Sequence, residues 1–217
     1  MIALTAWLGR WQSDRAGEKE ALQAMFEARS REAAVTLGPT SGPAEALLYR
    51  HVRATGRWFP EGQVFIDNRI DEGRAGFHVV TPLRLAGSER VVLVNRGWVE
   101  RSGTYPQAPN VPPPAAGEVE VTGLAALPPK RYLELSNETV SGNVWQNLSL
   151  DRYAQRMKLD VLPVMILADR ASPGLVPVQE RPDTGIARHK EYSLTWYSLA
   201  TTVLALWVFY SFRREPA

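Results

Sequence analysis

Tyr192-Ser-Leu-Thr-Trp-Tyr-Ser-Leu-Ala-Thr-Thr-Val-Leu-Ala-Leu-Trp-Val-Phe-Tyr-Ser-Phe212 carries no charged side chain, and Arg213 and Arg214 follow it at once. At 1.5 Å per residue, about 20 uncharged residues in a helix match a hydrocarbon core roughly 30 Å thick. Leu194, Leu199, Leu204, Leu206, Val208 and Phe209 supply apolar surface, each worth about −0.3 to −0.6 kcal/mol near mid-membrane. Trp196, Tyr197, Trp207 and Tyr210 add the amphipathic rings that suit the two interfaces. Core helices of soluble proteins seldom run this long without a charge, so residues 190–212 are read as a transmembrane helix. Positive residues beside a span stay on the cytoplasmic side. The tail after Phe212 is therefore expected inside, with His189 and Lys190 at the outer mouth of the helix.

The other end of the chain, Met1-Ile-Ala-Leu-Thr-Ala-Trp-Leu-Gly9, is apolar or small but too short to cross a bilayer as a helix. It lacks the basic start and small-residue cleavage site of a signal peptide. Either it packs as a short anchor, or the start lies inside a longer natural span; the second reading is preferred, giving an N-terminal span, cut short, over residues 1–12. A membrane-proximal helix is expected over 13–34, where Leu22, Met25, Phe26 and Arg29 share one helical face and Glu27 precedes Arg31 by four. Gly38-Pro-Thr-Ser-Gly-Pro43 ends it with turn residues and lacks the Gly-Lys-Ser/Thr ending of a phosphate loop.

Between the ends, about 160 residues remain, enough for one domain with its own core. Strand-like runs are expected at Leu47–Trp58, Gln63–Ile70, Phe77–Thr81, Arg90–Trp98, Glu118–Leu124 and Pro163–Ala168. Glycine-bearing turns separate the first four, which predicts an antiparallel sheet or small barrel. Ser149 is placed to cap a short helix with Leu150, Tyr153, Ala154 and Met157 on one face. The proline-rich run Tyr105–Pro114 is read as an extended loop, and residues 171–188 as a flexible approach to the membrane. The expected architecture is thus an α+β membrane protein. Transmembrane helices at the ends flank an external, mainly antiparallel domain over 46–170, with short helices.

The net charge is +2 with basic and acidic residues interspersed, so no like-charge block marks a nucleic-acid surface. The absence of cysteine excludes disulfides, cysteine-ligated zinc and thiol chemistry, but leaves the compartment open. No nucleophile elbow, zinc-protease helix, Walker loop or dinucleotide fingerprint is present. Asp67, Asp71 and Glu72 form an acidic group that turn chemistry explains better than acid–base catalysis. Asn137-Glu-Thr and Asn147-Leu-Ser match the glycosylation triplet, a frequent chance pattern. His51 and His78 fall inside strand patterns. His189, just outside a span, suits a haem ligand, a proton-transfer group or a plain interfacial residue.

Several motifs then fall into a recognisable order. Leu8-Gly-Arg-Trp-Gln-x-x-Arg15-x-x-x-Lys19 is followed by Tyr49-Arg-x-Val-x-x-x-Gly56, Asp67-Asn-Arg69 and Gly76-Phe-His-Val-Val-Thr-Pro82. Val92-Leu-Val-Asn-Arg-Gly-Trp-Val99, Asn143-x-Trp145 and His189-x-x-Tyr192-x-x-x-Trp196 complete the series. Over nearly its whole length the chain resembles the surfeit locus protein 1 family. That resemblance implies a non-enzymatic assembly factor for haem–copper oxidases, chiefly cytochrome c oxidase. Two spans would hold a domain on the periplasmic or intermembrane-space side of the bacterial cell membrane or mitochondrial inner membrane. Its implied partners are oxidase subunit I, other oxidase assembly factors and the lipid bilayer, with no nucleic acid, and its implied transient cargo is haem a. The family's histidine at the start of the second span matches His189, which makes it the expected haem-iron ligand, with Tyr192 and Trp196 lining the pocket. Trp11, Arg15, Arg96 and Trp98 are expected partner contacts, although Arg96 and Trp98 serve equally well as fold-defining residues, with a bulge relieved at Gly97. The short first span is the chain's main departure from the family pattern. A structural or scaffold subunit of an oxidase that never touches haem is the alternative, and an enzyme of haem transfer or modification a third possibility.

Overall fold

The computed structural model describes residues 1–103, 107–128, 140–178 and 185–213. They separate into two compact units, one containing Met1–Ala28 with the C-terminal helix, the other within Arg29–Glu180.

The second unit is built on strands. In chain order they are β1 (Val35–Thr36), β2 (His51–Trp58), β3 (Val64–Asp71), β4 (Arg74–Leu85), β5 (Val91–Glu100), β6 (Glu118–Ala126), β7 (Val140–Ser141), β8 (Val144–Trp145) and β9 (Val161–Ala168). Most neighbours pair antiparallel; β1–β2, β3–β8 and β5–β9 pair parallel. The order is β1-β2-β6-β9-β5-β4-β3-β8-β7, and a further β2–β4 pairing joins the fourth strand back to the second. The strands β2, β6, β9, β5 and β4 therefore form a closed ring. Closure rests on a short seam, Gly56↔Leu85, Arg57↔Arg84 and Trp58↔Leu83. Gly56 permits it, because a Cβ there would lie 2.0 Å from the Arg84 carbonyl oxygen.

Apolar periodicity explains the packing. On β2, Val52 and Ala54 alternate with Arg53 and Thr55 and join Leu83, Val92, Val94, Leu162, Val164 and Ile166 in the principal core. A second cluster holds Val64, Leu93, Trp145 and Tyr153, and a third holds Phe65, Phe77, Val79 and Val144. Strand β5, buried from Val91 through Trp98, lies between these clusters, which is why its sequence reads as a nearly continuous apolar run.

The expected strands are present, with shifted limits. Leu47–Arg50 is not strand: Leu47 ends the short helix α2 (Ala44–Leu47), and Tyr49 takes φ +66°. The turn expected over 71–76 shrinks to Glu72 and Gly73, both at positive φ, so β4 begins at Arg74 and pairs Asp71 with Arg74. Such a two-residue loop matches the right-handed twist of a hairpin. Helix α3 (Leu150–Met157) forms where expected; the Ser149 hydroxyl accepts from the Arg152 N–H at 3.4 Å, and Tyr153 is fully buried. Asn147, in the second glycosylation triplet, is buried.

Helix α1 runs unbroken from Ile2 to Ser30, and the C-terminal helix α4 from Ile186 to Phe212. Among the described residues α4 is the one helix long and apolar enough to cross a membrane, by length and composition. Of the loop expected over 171–188, Ser172 and Val176 hydrogen-bond to Arg96 and Trp98 of β5, while residues 179–184 lie outside the described residues. The first glycosylation triplet, Tyr105, Pro106 and Arg214 lie outside them as well.

Candidate functional site

Helices α1 and α4 pack antiparallel: the later part of α1 meets the start of α4, and the earlier part of α1 lies against the following turns of α4. Glu20 meets Lys190, Gln12 meets His189, Ser13 meets Ser193, and Gly9 faces Tyr197. The face of α1 that makes this seam is small: Thr5, Gly9 and Ala16 are its buried residues. Small residues four and seven positions apart share one helix face and let two backbones approach closely. Gly9 is the tightest point, where a Cβ would sit 2.9 Å from the Tyr197 ring. Ser193, buried on α4, donates to the Gly9 carbonyl at 3.0 Å and lies 2.7 Å from the Ser13 hydroxyl.

His189 sits in the first turn of α4, half-buried, with Nδ1 2.7 Å from Gln12 Oε1. An amide oxygen only accepts, so Nδ1 is the donor, and in the neutral imidazole this tautomer leaves the lone pair on Nε2. A ring nitrogen fixed this way leaves the other oriented as a metal ligand. Tyr192 and Trp196 lie three and seven positions further along α4, on the same helical side as His189. Trp196 is half-buried and Tyr192 exposed. Trp11, 48 % exposed, and Arg15, paired with Glu18 at 2.6 Å, lie one turn apart on α1.

Arg96 and Trp98 belong to the other unit and are almost entirely buried, at 1 % and 3 % exposure. Val79 pairs with Gly97 and Val80 with Asn95, so Arg96 is the extra residue of a β-bulge. Gly97 there takes φ +141°. The Arg96 guanidinium donates to Ser172 Oγ at 3.0 Å, Gln63 Oε1 at 2.9 Å and the Pro112 carbonyl at 3.1 Å. Its Cζ lies 5.8 Å from the Trp58 ring. Trp98 donates its indole N–H to the Arg69 carbonyl at 2.9 Å and lies under Arg74. These contacts fit the fold-defining reading of the pair and leave little surface for a partner.

Asp67-Asn68-Arg69 is a second bulge, in β3, with Asn68 at φ +57°. Asp67 is buried and ion-paired with Arg101. His78, opposite Trp98, is held neutral down to about pH 3 by burial and then by the nearby Arg69 cation. His51 lies 3.6 Å from Asp169. Tyr153 donates its hydroxyl to the Gly62 carbonyl at 2.6 Å, and burial pushes its ionisation well above the ordinary phenol range.

Gln12, Gly9, Ser13 and Ser193 complete the His189 site, and the sequence reading singles out none of them as a site residue. Gly9 and Gln12 lie inside the N-terminal motif, and their four-residue register with Thr5, Ser13 and Ala16 is the signal that points to them.

Comparison with known proteins places the chain. The family model described as the SURF1 family matches residues 1–201. The "Surfeit locus protein 1" of Mus musculus is 30 % identical over all of this chain and 75 % of its own length. A "SURF1-like protein" of Monosiga brevicollis is 29 % identical over 95 % of this chain and 83 % of its own. Another, from Rickettsia felis, is 27 % identical over 94 % of this chain and 90 % of its own. With a family match covering nearly all its residues, the chain belongs to the SURF1 family.

Proposed function

We propose that the protein holds haem a, or the oxidase subunit I that receives it, while the cofactor is inserted, and turns over no substrate. Membership of the SURF1 family implies a role in cytochrome c oxidase assembly, and haem handling would be this protein's part in it. The observation that supports it is the His189–Gln12 pair. A haem brings four ring nitrogens to its iron and asks the protein for an axial ligand. His189 fits that need, because Gln12 anchors Nδ1 and leaves Nε2 free to coordinate. Trp196 and Tyr192 offer aromatic faces to the macrocycle, and Trp11 and Arg15 stay accessible to a partner.

The membrane placement belongs to the same proposal. Leu194, Leu204, Leu206, Trp207 and Phe209 are exposed on α4, an apolar surface suited to lipid. With Arg213 at its far end, α4 would start on the periplasmic or intermembrane-space side and end in the cytoplasm or matrix.

The test is an absorption spectrum of the full-length protein purified from cells that make haem a, beside His189→Ala. The proposal expects Soret and α bands in the parent and their loss in the variant. Haem retained at unchanged stoichiometry by His189→Ala removes the ligand role. No haem in either protein, with an oxidase defect in a deletion strain, replaces the haem reading with the scaffold one.

A further inference from the structure

Arg96 is a buried cation whose three hydrogen-bond acceptors, Ser172 Oγ, Gln63 Oε1 and the Pro112 carbonyl, are all neutral. Of the five N–H donors of a guanidinium, these bonds engage three and leave two. A buried charge without a counter-charge is costly, and hydrogen bonds to neutral groups offset only part of that cost. Burial alone holds Arg96 below the ordinary arginine range, with no acid raising it. Beside it lies a pocket of about 460 Å³ lined by Trp58, Arg96, Val121, Thr122, Ala168 and Arg170, with Glu120, Asp169 and Ser172. The two acids at this pocket already have basic neighbours, Arg53 at 3.7 Å from Glu120 and His51 at 3.6 Å from Asp169.

We propose that this pocket binds a small monocarboxylate with an apolar body, its carboxyl oxygens taking the two remaining Arg96 donors. The planar fork of a guanidinium matches the two oxygens of a carboxylate, and a charge-assisted pair is stronger where water is excluded. Trp58, Val121 and Ala168 supply the wall for the apolar body. Whatever negative charge Glu120 and Asp169 leave uncompensated repels a dianion more strongly than a monoanion, which makes hydrogen phosphate the poorer fit. The bound anion gives Arg96 the counter-charge that the chain itself omits.

The experiment follows the thermal unfolding of the full-length protein in detergent, with sodium benzoate as the probe at constant ionic strength. Benzyl alcohol and inorganic phosphate are the comparisons. Benzoate is expected to raise the unfolding midpoint saturably, and the two comparison compounds to leave it unchanged. Arg96→Gln should abolish the shift. Because that variant is at risk of misfolding, Thr122→Trp provides an independent arm: it fills the pocket from an exposed position and leaves Arg96 in place. Loss of the benzoate shift in Thr122→Trp, at an unchanged midpoint without ligand, supports the site. No saturable shift in the parent, an equal shift with benzyl alcohol, or a full shift retained by Thr122→Trp overturns it.

Discussion

His189 and Gln12 lie 177 positions apart, and only the packing of α1 on α4 brings them to 2.7 Å. The histidine stands out in the sequence, since it lies three residues before the uncharged run and matches a family landmark. Its partner does not, because which residues meet across two helices depends on how each is rotated, and no local pattern encodes that. Replacing Gln12 with Leu removes the acceptor that fixes the tautomer. Under the haem proposal, Gln12→Leu should weaken haem retention by about 10- to 100-fold, as loss of an orienting partner does at metal sites. Haem titration followed at the Soret band measures this, and unchanged affinity would separate Gln12 from the ligand's chemistry. His78 gives a second prediction at this scale. Its folded-state value of about 3 lies below the ordinary 6.5, so between those limits the unfolded chain binds the extra proton. The contribution of His78 to the stability of its unit is therefore present in full above pH 6.5 and falls as the pH drops toward 3, with no further loss from this group below that. Urea midpoints at about pH 7 and about pH 5, on either side of the ordinary histidine value, should differ more in the parent than in His78→Gln; equal differences would show that another group dominates.

At the scale of elements, two of the family-like motifs coincide with irregularities in the strands. Asp67-Asn68-Arg69 and Asn95-Arg96-Gly97-Trp98 are the two bulges that break the regular registers of β3 and β5 against β4. Periodicity revealed the strands, because alternating or continuous apolar runs are local. It did not reveal the bulges, because an extra residue exists only relative to a partner strand. That is why Arg96 and Trp98 read equally well as surface contacts and as buried fold-defining residues. The pairing of α1 with α4 is also a matter of shape. Gly9→Leu would drive a side chain into the Tyr197 ring, and overpacking of this kind costs about 1–3 kcal/mol. The cysteine-free chain offers a clean readout. Cysteines replacing Ser13 and Ser193, whose oxygens are 2.7 Å apart, should form a disulfide on mild oxidation. Adding Gly9→Leu should reduce the cross-linked fraction several-fold, as seen on a non-reducing gel. Efficient cross-linking in the Gly9→Leu background would mean that this contact does not set the helix spacing.

For the molecule as a whole, the sequence offered an antiparallel sheet or a small barrel and could not choose, since both use the same strands. The choice is made by the β2–β4 seam, which joins two strands that flank β3 in the chain, and by the parallel pairing of β5 with β9. Neither leaves a local trace in the sequence beyond one glycine. At Gly56 the strands come so close that any side chain must displace the Arg84 carbonyl, which is backbone and has no rotamer with which to retreat. Gly56→Val should therefore part the seam and uncover Ala54, Leu83 and Leu85 at one side of the principal core. The expected loss is at least the roughly 1–3 kcal/mol of an overpacked core, read as a lower urea midpoint of the unit. If the seam opens in the native state, the transition should also broaden, because less surface remains to be exposed on unfolding. Gly42→Val is the matched comparison, since a Cβ at Gly42 meets nothing within 4 Å; it should leave the midpoint nearly unchanged. If both variants unfold alike, the cost lies in replacing glycine and not in closing the ring, and the β2–β4 contact would then be a consequence of the barrel and not what holds it shut.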